Sequence, residues 1–293
     1  MKLPLFTSCC TALVTPFLGE QINYPMLEQL LKRQIDAGIR AVVIGGTTGE
    51  SATLSDTEKL ELIRRAKEFT GDKCLIIAGT GSNDTAHAAA LSLAAQEAGA
   101  DALLVVSPYY NKATEEGLYA HYLAIAHQVQ IPVIIYNVPS RTGLDIPVSV
   151  YKRLSRIPNI AGVKEASGDM VKIAKIIHEC GNDLYVWCGN DDLTVAAMAL
   201  GAKGVISVAS NVVPDEMKLM TDAALDGDFD TAADLQCKLL PLTDLLFCEV
   251  NPIPVKAAMK LLGYDCGECR LPLTPIRKSN LEKLIQYFNS IND

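Results

Sequence analysis

Histidine and tryptophan are scarce in this chain, with four of the first and one of the second. His87, His121, His127 and His178 all fall in helix-like stretches and show no ligand spacing, which argues against a histidine-ligated metal centre. No run of lysine and arginine occurs, and the formal net charge is -8 with a pI near 5.1. The electrostatic footprint of a nucleic-acid binder is therefore missing. No apolar stretch reaches the roughly 20 residues needed to span a bilayer. The leading "MKLPLFTSCCTALVTP" lacks the long apolar segment of a secretory signal. A Gly-rich dinucleotide turn is also missing: "TALVTPF" follows the first apolar run without one, and "GTGSND" (79–84) lacks a third glycine and follows the third run. These absences lead us to expect a cytoplasmic protein with no metal, no membrane and no nucleic-acid partner.

Cysteine is the exception to this sparseness, with nine in the chain. Without a secretory signal they are expected as reduced thiols. Cys9 and Cys10 lie in an apolar run, where free cysteine behaves as a small hydrophobe. Cys266 and Cys269 form a single C-x-x-C in "YDCGECR", and no second pair follows to complete a zinc ribbon.

About half the residues are hydrophobic, 49%, enough for one large core. Eight short apolar runs recur: 8–15, 41–46, 74–79, 102–107, 132–137, 160–165, 184–189 and 204–209. Helix-like segments such as "YPMLEQLLKRQIDAG" and "TAHAAALSLAAQEAGA" lie between them, the second closing at Gly99 as a natural terminator. Strands alternating with helices at this spacing predict an α/β fold, a parallel (β/α)8 TIM barrel over 1–227, with an open doubly wound sheet as the alternative. After residue 227 the strands stop. Residues 229–247, 252–263 and 279–291 read as helices, with Pro252 and Pro254 at a helix start and the Asn280 region supplying a polar N-cap. Residues 228–293 are thus expected as a small C-terminal helical domain packed on the barrel or on a neighbour.

Barrels of this kind place their chemistry at the C-terminal strand ends. There the chain reads "GGTTGES", "SPYYN", "YNVPSRTG" and "KEASG". Lys164 ends the sixth run and points into the barrel mouth, where desolvation favours the free amine and the amine can form a Schiff base with a ketone. Its structural alternative is an ion pair with a nearby carboxylate such as Glu165, although Glu165 should face the other way in an extended strand. Tyr136 ends the adjacent run and offers a phenol for proton transfer, with Thr47 and Thr48 able to extend a hydroxyl chain; a core-edge tyrosine is the alternative. "GGTTGES" offers the backbone N–H groups of Thr47 and Thr48 to a carboxylate, or is simply a Gly-rich turn before the helix that the capping box Ser55 to Glu58 opens. Arg141 is a candidate fork for a second carboxylate, or a surface arginine.

Taken in order, "ALVTPF", "GGTTGES", "AGTGSN", "SPYYNK", "EGLYAHY", "YNVPSRTG", "VKEASG", "GVISVASN" and "NPIPVK" resemble the pyruvate-dependent class I aldolase superfamily of N-acetylneuraminate lyase, and most closely its dihydrodipicolinate synthase family, along nearly the whole chain. The resemblance implies that Lys164 captures pyruvate as the Schiff base. Tyr136, Thr47 and Tyr110 would form the proton relay, with Tyr110 reaching in from a neighbouring subunit. Thr48 would take part in the pyruvate-carboxylate site and Arg141 would receive the carboxylate of the aldehyde substrate. Gly189 and Ile206 match backbone positions lining the pocket. The implied reaction condenses pyruvate with L-aspartate 4-semialdehyde to 4-hydroxy-tetrahydrodipicolinate, on the path to diaminopimelate and lysine. It needs no cofactor, and the family's habit is a homotetramer, a dimer of tight dimers. A 2-keto-3-deoxy sugar acid or N-acetylneuraminate aldolase is the alternative within the superfamily, and a non-catalytic keto-acid-binding regulatory barrel is the alternative of another class. The region matching the family's lysine-feedback site is Ser51, Ala52, Asp56, Lys59, Asn83, His87 and Tyr109. Lys59 and His87 would bring positive charge towards a cationic ligand, so inhibition by L-lysine is expected to be weak or absent.

Overall fold

The computed structural model describes residues 2–291. Ten strands occur in it: β1 (Ser8–Ala12), β2 (Phe17–Leu18), β3 (Gln21–Ile22), β4 (Ala41–Ile44), β5 (Leu75–Gly79), β6 (Ala102–Val106), β7 (Val133–Asn137), β8 (Ile160–Glu165), β9 (Tyr185–Cys188) and β10 (Gly204–Ser207). Eight of them pair in parallel and close into a barrel in the order β1-β10-β9-β8-β7-β6-β5-β4. All eight expected strands are present, and the fold is a (β/α)8 barrel rather than an open sheet. The antiparallel ribbon β2–β3 had no counterpart in the sequence reading, because two-residue strands carry no periodic signal.

The strands read as unbroken apolar runs because both faces are covered, one by the barrel interior and one by helices. Alternate residues divide between the two. Ala41 and Val43 face the inner cluster with Ile77, Leu104 and Ile134, while Val42 and Ile44 join the larger layer beneath the helices. The same alternation sends Tyr136 inward. The N-terminal segment closes the end of the barrel where the strands begin. Phe6 stacks on Trp187 with ring centroids 4.7 Å apart, and the Trp187 indole N–H donates to Phe6 O at 3.2 Å. The Lys2 ammonium donates to the carbonyls of Ser155, Ile157 and Ile160.

The helix Asp56–Thr70 opens with the expected capping box of Ser55 and Glu58. Helices Phe229–Leu246, Ile253–Leu261 and Lys278–Ser290 form the tail. Their side chains Leu242, Val255, Met259 and Leu284 belong to the same apolar layer as the outer barrel face. The expected Asn280 cap is not used. The last helix starts after Arg277 without a side-chain cap of its own, and Glu249 accepts both the Arg277 N–H at 2.9 Å and the Asn280 amide at 2.8 Å. The carboxylate that satisfies this helix start comes from another segment, which local sequence does not reveal.

All nine cysteines are free thiols. Between Cys266 and Cys269 the chain makes no turn, and burial pushes both thiols up to about 12. Among the described residues no cluster of three metal-ligating side chains occurs, and no helix is long and apolar enough to cross a membrane.

Candidate active site

The parallel register sets Tyr136 of β7 directly beside Lys164 of β8. Both are buried, 7% and 5% exposed, and the Lys164 ammonium lies 4.6 Å from the centre of the Tyr136 ring. The ion pair with Glu165 does not form, because that carboxylate is turned to the opposite face. It accepts from the Asn137 amide at 2.9 Å, from the Tyr151 hydroxyl at 3.3 Å and from the Ser167 N–H at 2.9 Å. Burial, foremost, and the Glu165 charge push the Tyr151 phenol well up, so it remains a donor. Asn137 also donates to Asp145, which pairs with Lys172. The ends of β7 and β8 are thereby tied together behind the two candidate reactive groups, and Lys164 keeps its amine uncommitted to a carboxylate.

The loop "GGTTGES" leaves β4 through Gly45, whose φ of +63° suits glycine. Its internal hydrogen bonds run from Glu50 N–H to Thr47 O and from Ser51 N–H to Gly46 O, both 3.1 Å. The N–H groups of Thr47 and Thr48 have no partner among the described residues, as a carboxylate cradle requires. Thr48 is buried, and its hydroxyl accepts from the Asn251 amide at 3.0 Å. Arg141, exposed in the short helix Pro139–Thr142, reaches Asn251 O at 3.4 Å. Thr48 and Arg141 thus converge on Asn251, whose own Oδ1 is buried without a partner.

Not every expected site residue joins this group. Tyr110 is 88% exposed, with a left-handed backbone of φ 71°, and no hydrogen bond among the described residues joins it to Lys164. Gly189 follows β9, but its N–H already donates to Glu165 O at 2.7 Å. Ile206 is fully buried in the inner cluster and pairs in register with Cys10. Near the loop, His87 Nε2 and Asp56 Oδ2 meet at 2.8 Å, and His87 Nδ1 lies 3.3 Å from the Ser82 hydroxyl. The Asn111 amide donates to Asn83 O. Lys59 is buried, and desolvation lowers its pKa against the opposing pull of Asp56. Ser51 and Ala52 lie in the turn that leads to these residues, and Tyr109 is 40% exposed.

Residues 5–290 match the model of the dihydrodipicolinate synthetase family. The chain belongs to this family. Among curated relatives it is 48% identical to the 4-hydroxy-tetrahydrodipicolinate synthase of Thermoanaerobacter sp. (strain X514), over 96% of this chain and 95% of that one. Among solved structures, the dihydrodipicolinate synthase of Aquifex aeolicus superposes with a TM-score of 0.96 at 44% identity, covering 98% of each chain. The chloride-inhibited enzyme of Acinetobacter baumannii, complexed with pyruvate, gives a TM-score of 0.96 at 41% identity over 98% of this chain and 99% of that one.

Two polar groups of this family member were missed by reading strand ends alone. Asn251 stood within the quoted "NPIPVK", but nothing local tied it to Thr48, 203 positions earlier. Asp191, just beyond Gly189, is buried, and one of its oxygens accepts the N–H groups of Val208 and Ala209 at 2.9 Å each while the other is unpartnered. Burial raises its pKa, opposed by its hydrogen bonds and, least, by the Lys164 charge. A buried polar atom without a partner is the signal that marks both.

Proposed function

We propose that the protein condenses pyruvate with L-aspartate 4-semialdehyde to give 4-hydroxy-tetrahydrodipicolinate, the entry to diaminopimelate and lysine. The observation that carries this reading is the uncommitted, buried Lys164 beside Tyr136, in a chain of this family. The Lys164 amine attacks the pyruvate ketone, and the carbinolamine loses water to give an iminium. The iminium acidifies the methyl group, which gives up a proton and leaves an enamine. The enamine carbon bonds to the aldehyde carbon, whose oxygen takes a proton. The substrate's own amine then displaces Lys164 by transimination and closes the ring. No cofactor is needed, because the iminium is the electron sink.

Tyr136, Thr47 and Tyr110 move the protons in this scheme. Thr48 and the neighbouring N–H groups seat the pyruvate carboxylate, Arg141 receives the second carboxylate, and Gly189 and Ile206 shape the pocket. The exposed Tyr110 supports a contribution in trans, and with it a homotetramer built as a dimer of tight dimers. Residues 228–293 are a helical domain appended to a catalytic barrel of residues 1–227, and the enzyme works in the cytoplasm. L-Lysine inhibits it weakly or not at all.

Mass spectrometry after incubation with pyruvate and borohydride tests the chemistry. One reduced pyruvate adduct, mapped to Lys164, is expected; a folded protein without it would sink the mechanism. Assay with aspartate 4-semialdehyde against 2-keto-3-deoxy sugar acids and N-acetylneuraminate then decides the substrate.

A further inference from the structure

The tail grips one residue of the "GGTTGES" loop. Glu50 is buried and has a left-handed backbone at φ 59°, a region that side-chain-bearing residues avoid. Its Oε1 accepts from the Lys256 ammonium at 2.7 Å, with the two side chains 1% and 3% exposed. Its Oε2 accepts from the Arg270 N–H at 2.8 Å. Lys256 also donates to Glu268 O at 3.2 Å. The Phe17 ring takes both cations, with Lys256 4.4 Å and Arg270 4.5 Å from its centre. The Arg270 guanidinium continues to Thr53 O, Glu20 O and the Glu58 carboxylate.

This grip is transmitted to the loop. The Glu50 N–H donates to Thr47 O at 3.1 Å, and Glu50 O accepts from the Thr53 N–H at 3.0 Å. A buried ion pair is a poor source of stability compared with apolar packing, since desolvation offsets most of its attraction. What it does well is fix one geometry. Here that geometry is an unfavourable backbone conformation two residues after Thr48.

We propose that Glu50, Lys256 and Arg270 are positioning residues for the reaction: the helical tail holds Glu50 so that Thr47 and Thr48 present their hydroxyls and N–H groups to the keto acid. The inference rests on the reading of Thr47 and Thr48 as the pyruvate seat. Lys256 and Arg270 touch no reacting atom; they act through Glu50.

The test compares pyruvate KM, kcat and Tm for Glu50→Gln, for the double variant Glu50→Gln/Lys256→Met, which leaves no unpaired buried charge, and for Arg270→Lys. Thr48→Val serves as the reference. In each Glu50 variant that folds, pyruvate KM should rise by about ten-fold, with borohydride still trapping the adduct on Lys164 at saturating pyruvate. Arg270→Lys keeps the charge and the backbone N–H that Glu50 accepts, and loosens only the guanidinium contacts to Thr53 O, Glu20 O and Glu58 that hold this backbone in place, so it should fold even where the others fail, with a KM rise of roughly three-fold. An ion pair that serves stability alone would lower Tm and leave pyruvate KM unchanged in the folded enzyme, and that result would overturn the proposal. If Thr48→Val itself leaves pyruvate KM unchanged, the seat has been misassigned; if it raises KM while the Glu50 and Arg270 variants do not, only the latch fails.

Discussion

Tyr136 and Lys164 stand opposite one another on neighbouring parallel strands, with the ammonium 4.6 Å from the centre of the phenol ring. The amine can bond to a ketone only if its proton leaves, and in the mechanism proposed above the Tyr136 phenol takes part in that transfer. Tyr136→Phe should therefore keep the fold and still yield the borohydride-trapped adduct, more slowly. Its kcat should fall by roughly 10²–10⁴-fold, the usual contribution of a general acid–base. Lys164→Ala should yield no adduct at any time. An adduct elsewhere in that variant would mean the nucleophile is another lysine.

The register on the other side of β8 pairs Lys164 with Trp187, the sole tryptophan, which is fully buried in the inner cluster. Imine formation changes charge and packing beside the indole. Tryptophan emission should respond saturably to pyruvate in the wild type and not in Lys164→Ala. An equal response in both would show that the signal comes from non-covalent binding.

Beside the loop, His87 pairs with Asp56, which occupies that carboxylate before a cationic ligand could use it. Half-inhibition by L-lysine is expected only above about 1 mM, a binding free energy weaker than roughly 4 kcal/mol. His87→Glu should improve inhibition about ten-fold, the value of one charge-assisted hydrogen bond of about 1.5 kcal/mol. Initial rates across a lysine series check both statements, and sub-millimolar inhibition of the wild type would refute the first.

Acid should weaken the protein in two windows. Burial holds the His121 imidazole down to about 4 from an ordinary 6.5, with Asp84 opposing, while its Nδ1 meets the Thr85 hydroxyl at 2.8 Å. The unfolded chain binds the proton first, so this stability is full above 6.5 and is lost as pH falls towards 4, on the order of 3 kcal/mol. The Arg270 guanidinium, foremost, holds the Glu58 carboxyl down to about 2 from 4.5. That contribution is present above 4.5 and is lost between there and 2; the side chain is partly exposed, so it is on the order of 1 kcal/mol. Denaturant unfolding of the wild type, His121→Asn and Glu58→Gln across pH should flatten the upper and lower windows respectively. A wild-type stability that is level from 7 to 4 would contradict the first assignment.

The barrel was legible in the sequence because each parallel strand is an apolar run covered on both faces, ending in polar residues at the mouth. The inward aim of Lys164 was read from its place at a strand end of the barrel, and the opposite aim of Glu165 followed from strand alternation. What stayed hidden was non-local. The Lys256–Glu50 contact spans 206 positions, and the Asn251–Thr48 contact spans 203. No periodicity or spacing links such residues; only the closed fold brings the tail over the loop. The Glu249 cap of the last helix was missed for the same reason, being set by a neighbour in space; the β2–β3 ribbon is local, but its two-residue strands are too short to show a period.

Gly162 lies on β8 two residues before Lys164 and on the same face. A Cβ there would run into the Tyr185 carbonyl and come within 2.5 Å of Trp187 Cζ3. Neither obstacle is a flexible side-chain end: one is backbone of β9, and the other is an indole stacked on Phe6 and hydrogen-bonded to it. Gly162→Ala should therefore cost about 1–3 kcal/mol, a fall in Tm of roughly 2–5 °C by calorimetry. The same displacement must move β8 away from β9, and Lys164 with it. Activity measured well below the new Tm should fall too, whereas Gly181→Ala, where a Cβ meets nothing within 4 Å, should leave activity intact and lose only what its left-handed backbone requires. Equal activity in Gly162→Ala and the wild type would show that β8 can shift without moving the lysine.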